Sequence, residues 1–164
     1  MPWIRRIAWI VPGLVVALVG LVAMAGGAPQ AGSEERGTAE PGSKGHGKMV
    51  FALTSGLEDL QAVNMAIRHA GMARKSGYRD DSVLLVYGRG VQAFARDITA
   101  KPPMLSALIK EAKEDGVHIL VCGEALKRFN IPRDGLEPGI EKVVPNAIVT
   151  LAELVSKGYQ IIKY

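Results

Sequence analysis

The chain has 164 residues, room for one domain. Its hydrophobic share, 48%, is ordinary for a globular protein but unevenly distributed, and its net charge of +4 includes Arg5 and Arg6 near the start. No lysine/arginine block and no interleaved aromatic stripe appears, which argues against a nucleic-acid partner.

Residues 7–25 contain no charge, with Arg5 and Arg6 before them and Ala23-Met24-Ala25 at their end. A positive start, an apolar run and a small-x-small site are the grammar of a secretory signal peptide. The run also approaches the roughly 20 residues that span a bilayer, so cleaved signal and retained membrane anchor both fit. In either case the arginines stay on the cytoplasmic side and the remainder is expected in an extracytoplasmic, periplasmic setting. Residues 26–47 are rich in Gly, Pro, Ser and charge, and read as a flexible linker in which His46 is incidental.

The folded body is expected over 48–164. Residues 49–53 form an apolar strand that ends in Thr54-Ser55-Gly56, a turn cluster. From Glu58, apolar residues recur at helical spacing (Leu60, Val63, Ile67, Ala70) until Gly77, a helix C-cap. Residues 82–87 (SVLLVY) are a second strand, stopped by Gly88-Arg89-Gly90. A short helix over 91–96, a loop and a helix over 104–114 follow. Residues 117–122 (VHILVC) are the third strand, with a short helix over 124–129. Asn146 caps a helix over 147–157, and Gly158 leads into a last strand, 159–163. A further short strand fits near 140–143. Strands apolar on both faces and alternating with helices predict a three-layer α/β/α sandwich around a mainly parallel, Rossmann-like sheet. In such sheets the working residues gather beyond the carboxyl ends of the strands. That singles out Thr54, Ser55, Gly56, Gly88, Arg89, Gly90, Cys122 and Gly123.

Gly88-Arg89-Gly90-Val91-Gln92-Ala93 matches the G-x-G-x-x-A pattern of a dinucleotide turn. It follows the second strand rather than the first, and the acidic residues some twenty positions on, Glu111 and Glu114, fall in a helix. No cofactor is therefore expected; the segment is a tight strand-to-helix turn that places Arg89 at the sheet edge. His69, His118 and Cys122 lack metal-ligand spacing, so no metal is expected either. No nucleophile elbow or Walker loop is present.

Cys122 is the informative residue. It ends a strand, and a helix begins just after Gly123, so its sulfur faces unpaired backbone N–H groups and the positive end of a helix dipole, a setting that favours a thiolate. Glu124 opposes that effect, and apolar neighbours allow a plain packing role. As the only cysteine it has no internal disulfide partner.

Four segments carry a family resemblance: KMVFALTSG, VLLVYGRGV, GVHILVCGEALKRFNI with its strand-ending cysteine, and KVVPNAIVTLAELVSKGYQIIKY. Together they resemble the DsrE/DsrF-like (YchN-like) family over the whole folded body. The resemblance implies homo- or hetero-oligomers and a sulfur-relay role in which a cysteine, matching Cys122, carries a persulfide between partner proteins. Some relatives carry a histidine where this chain has Tyr87, which leaves His118 and Arg89 as the available acid/base or charge-bearing helpers.

The resulting expectation is an exported sulfur carrier acting through Cys122. Its partners would be sulfane sulfur compounds or donor and acceptor proteins, and further copies of itself. In an alternative of another class, the same crevice binds a small ligand or a protein partner without catalysis, and Cys122 is structural. A third reading makes the thiol a redox sensor that forms an intermolecular disulfide. Exposure of the Cys122 sulfur separates these readings, since a buried, dry sulfur counts against carriage.

Overall fold

A computed structural model of the chain describes residues 47–164. The apolar run 7–25 and nearly all of the expected linker lie outside the described residues. Among the described residues no helix is long and apolar enough to cross a membrane.

Among the described residues five strands, β1 Lys48–Leu53, β2 Asp81–Val86, β3 His118–Cys122, β4 Lys142–Val144 and β5 Tyr159–Lys163, alternate with four helices. The helices are α1 Leu60–Lys75, α2 Pro103–Glu114, α3 Gly123–Arg128 and α4 Ala147–Ser156. The strands form one sheet in the order β4-β3-β2-β1-β5, and every neighbouring pair is parallel. The chain steps in one direction from β1 to β4, then returns to lay β5 against the other side of β1. Right-handed crossovers therefore put α1 and α2 on one face and α4 on the other, and α1 and α2 do pack together. This is the three-layer α/β/α sandwich that the alternation of strands and helices predicts.

Caps agree with the sequence. The Asp59 side chain accepts from the Ala62 N–H at 3.0 Å, and Asn146 Oδ1 accepts from Ile148 and Val149 at the start of α4. Gly77 takes a positive φ of 73°, the left-handed conformation that ends a helix at low steric cost. Two elements differ from expectation. The helix predicted over 91–96 is a 3-10 segment, Gly88–Phe94, entered through Gly88 at φ 56° with no side-chain cap. The strand near 140–143 is shifted to Lys142–Val144, because Gly139 turns the chain at φ 119° just before it.

The core is continuous on both faces of the sheet. Val50, Phe51, Leu53, Leu84, Leu85, Val86, Ile119 and Val121 are fully or almost fully buried. β1 and β2 are apolar on both faces because helices cover both; β5, on the edge, is exposed along most of its length.

Candidate site at the carboxyl edge of the sheet

The loops after β1 and β2 lock together. The Tyr87 N–H donates to the Leu53 carbonyl at 3.0 Å, and the Gly90 N–H to the Thr54 carbonyl at 3.2 Å. Glu58 joins the two, accepting from the Gly56 N–H at 3.0 Å and pairing with Arg89 Nε at 2.9 Å. That backbone N–H, with Arg89 adding to it, holds the Glu58 carboxyl below its ordinary value. Arg89 does stand exposed at the sheet edge, but with a counter-charge beside it.

Both glycines are there because the loops touch. A Cβ on Gly56 would lie 2.7 Å from the Arg89 carbonyl oxygen, and one on Gly90 would lie 2.9 Å from that of Leu53. Neither obstacle is a flexible side chain. Gly56→Ala should therefore cost about 1–3 kcal/mol by overpacking. Urea denaturation checks this, and a change below about 0.5 kcal/mol, the usual range for a surface substitution, would show that the loops separate freely.

Thr54 is turned away from β3. Its N–H and its hydroxyl both donate to the Tyr164 carbonyl, each at 2.9 Å, which ties β1 to the end of β5. Ser55 is half-buried beside it. Tyr164 in turn bonds His69 Nδ1 through its phenol at 2.5 Å and stacks on Phe51. His69 thus ties α1 to the chain end after β5.

Cys122 ends β3 as the residue capping α3, with φ −75° and ψ 118°. It pairs in register with Val144, and alternation along β3 puts it on the same face as Leu120, which lines a groove with Val144, Val149 and Leu154 beside α4. Cys122 is 6% exposed. Gly123 is packed against the end of β4, where a Cβ would lie 3.2 Å from the Val144 carbonyl oxygen. On its other side Gly123 reaches a groove lined also by Leu126, Lys127, Asn130, Ile131 and Arg133. The 3-10 segment after β2 packs on both β3 and α3. The three segments thus stand in strand order along one sheet edge, although the hydrogen bonds and ion pair joining the first two do not extend to Cys122. The helix after Cys122 is only six residues long, with Glu124 in its first turn bonded to Lys127 at 2.9 Å.

His118 is not a helper for Cys122. It begins the strand that Cys122 ends, roughly 13 Å away at about 3.3 Å per residue. There Nδ1 meets Glu141 at 2.5 Å and Nε2 faces Asp81 at 3.4 Å, while Asp81 also accepts from the Tyr159 hydroxyl. Burial, together with that bond to Asp81, pushes the Tyr159 phenol up to about 12. This chain of polar groups crosses the amino edge of the sheet. Its members lie far apart in sequence, so no local motif announces them. Among the described residues no cluster of His, Cys, Asp and Glu is arranged to hold a metal ion.

A buried ion pair also escapes sequence reading. Lys101 and Glu137 form an ion pair with side chains only 5% and 8% exposed. Lys101 Nζ also donates to the Ala95 carbonyl at 2.6 Å, and the Ser106 hydroxyl to Glu137 at 2.7 Å. Burial raises the Glu137 pKa, but the hydrogen bonds from Lys101 and Ser106 outweigh it, and the net shift is downward.

Comparison with solved structures finds the same fold in other proteins. The ychN protein from E. coli is 15% identical with a TM-score of 0.61, the alignment covering 72% of this chain and 99% of that one. MTH1491 from Methanobacterium thermoautotrophicum, a protein of unknown function, is 18% identical with a TM-score of 0.58 over 72% and 99% of the two chains. BT1422 from Bacteroides thetaiotaomicron, also of unknown function, is 20% identical with a TM-score of 0.57 over 71% and 94%. No curated protein matches the chain in sequence. The DsrE/DsrF-like family matches residues 47–164, the whole of the described body. The chain belongs to the DsrE/DsrF-like family.

Proposed function

We propose that this protein carries sulfane sulfur on Cys122. The position of that cysteine, at the carboxyl end of a central strand and at the first backbone amides of a helix in a DsrE/DsrF-like domain, carries the reading. The Cys122 thiolate would attack the sulfane sulfur of a donor such as thiosulfate, forming a persulfide and releasing sulfite. An acceptor thiolate would then take the outer sulfur and return Cys122 as thiolate, with no net electron transfer in that step. In the groove beside Gly123, Arg133 offers positive charge to an anionic donor, while Lys127 there is paired with Glu124.

The same proposal places the domain outside the cytoplasm, with donor and acceptor proteins and further copies of itself as partners. Export rests on residues 1–25 alone. A lone thiol there meets oxidants; the cover over Cys122 counts against carriage by the closed domain, so carriage requires a partner that opens it.

That cover also favours a second reading, a noncatalytic binding module in which Cys122 only packs. Intact-mass analysis after incubation with thiosulfate or polysulfide separates the two. Carriage predicts gain of one sulfur atom on the wild type, its loss on adding a thiol, and none on Cys122→Ala. No gain on the wild type, or equal gain on the variant, sinks carriage and leaves the binding module.

A further inference from the structure

The Cys122 side chain has a neighbour on each side along the sheet, and the two are held differently. On one side Val144 is fixed in the ladder between β3 and β4. On the other stands Tyr87. Val86 pairs with Val121, and the extended backbone of Tyr87, with φ −151° and ψ −178°, carries β2 one residue further. Its N–H still donates to Leu53 on β1, as it would inside the ladder. Tyr87 therefore lies opposite Cys122, one strand spacing of about 4.8 Å away. The Ser82 hydroxyl bonds the Ala70 carbonyl on α1, so Ser82, Leu84 and Val86 face α1. Tyr87 falls on the opposite face, the one toward α4, and shares it with Cys122.

We infer that the Tyr87 ring is the movable cover of the Cys122 thiol, standing against it at rest and swung aside when a donor or acceptor reaches the sulfur. That use of the motion rests on the sulfur carriage proposed for Cys122. Tyr87 is half-buried and packed against the core. The other half-buried tyrosines, Tyr159 and Tyr164, have their hydroxyls bonded to Asp81 and His69. Among the described residues no group bonds the Tyr87 hydroxyl. Turning this side chain to another χ1 rotamer therefore breaks no hydrogen bond, whereas moving Val144 takes the β3–β4 ladder apart. Gly88, next in the chain at φ 56°, begins the turn away from the sheet and puts no side chain in the way of that rotation. At rest, a ring roughly 5 Å from a sulfur makes a favourable contact, which holds the cover closed. A partner then has only this contact to replace. The inference gives the opening that carriage requires a named residue and a small motion.

The test follows alkylation of Cys122, the only cysteine, by iodoacetamide in the full chain in mild detergent, read by intact mass. Tyr87→Ala should react about tenfold faster than wild type or more, because local opening no longer limits the reagent. Tyr87→Phe keeps the ring and should stay within about twofold of wild type. Val144→Ala, which thins the cover on the β4 side, should gain far less than Tyr87→Ala. The rate in Tyr87→Ala should also be flat in urea below the unfolding transition, since the path is local. Should Tyr87→Ala fail to fold, Tyr87→Leu takes its place in every comparison. A Tyr87→Ala rate equal to wild type overturns the inference. So does an equal gain from Val144→Ala, a Tyr87→Phe as fast as Tyr87→Ala, or a rate that climbs in parallel with global unfolding. No sulfur donor enters these measurements. Unchanged alkylation therefore sinks the movable cover and leaves carriage standing, while a Cys122 that takes up no sulfur sinks carriage and leaves the cover standing.

Discussion

Glu137→Ala is expected to lower the unfolding free energy by about 3–5 kcal/mol. The carboxylate it removes is the partner of Lys101, whose side chain is 5% exposed, and it also receives the Ser106 hydroxyl. After the change, the Lys101 ammonium keeps only the Ala95 carbonyl, and Ser106 loses its acceptor. The loss reflects a stranded charge more than the worth of the pair. Replacing both partners, as in Lys101→Met with Glu137→Leu, should therefore recover most of the stability. The pH dependence follows from the downward shift of Glu137. A carboxyl held below its ordinary value of 4.5 adds stability that is present above that pH and is lost as pH falls through the lower folded value. The gap between wild type and Glu137→Ala should thus be constant at neutral pH and shrink on acidification below about 4.5. Urea denaturation at several pH values reads both effects. A single-variant cost under 1 kcal/mol would show that the clamp opens freely.

Phe51→Ala should be comparably damaging, at about 3–5 kcal/mol. Phe51 is 1% exposed in the middle of β1, and its ring stacks on Tyr164 with centroids 6.4 Å apart. Beyond the cavity itself, the substitution removes the support under Tyr164, which joins β5 to Thr54 and to His69. A second readout isolates that consequence. Burial raises the Tyr164 phenol above its ordinary 10.0, so opening the site to water should return its titration toward that value. Ultraviolet titration of the phenols follows this, and an unchanged Tyr164 in a destabilised variant would show that the ring does not depend on Phe51.

These two predictions also show where sequence reading stopped. Periodicity and punctuation located the sheet well: the apolar runs 49–53, 82–87 and 117–122 correspond to β1, β2 and β3 to within a residue at either end, and Asn146 and Gly77 act as caps where their chemistry predicts. Strands buried on both faces carry their signal in consecutive residues, so it survives without knowledge of neighbours. Burial of Cys122 was not legible in that way, because it depends on pairing with β4, which comes later in the chain. The same holds for Lys101 with Glu137 and for His118 with Asp81 and Glu141. Each is a polar residue that reads as solvent-facing until distant segments close over or against it. The 3-10 segment after β2 failed for a local reason, since two glycines in three residues satisfy a motif and a turn equally well.

The strand order has a consequence for how the domain is assembled. β1 is flanked by β2 and β5 in the finished sheet, yet Thr54 and the Tyr164 carbonyl it grips are 110 positions apart. Joining them requires closing most of the domain into a loop, the kind of non-local contact that comes slowly in folding. In chain order β2 is the first partner available to β1, and β1 stays an edge strand until β5, the last strand in the sequence, is in place. The strand that starts the sheet is therefore also the one whose second neighbour is the last to be made.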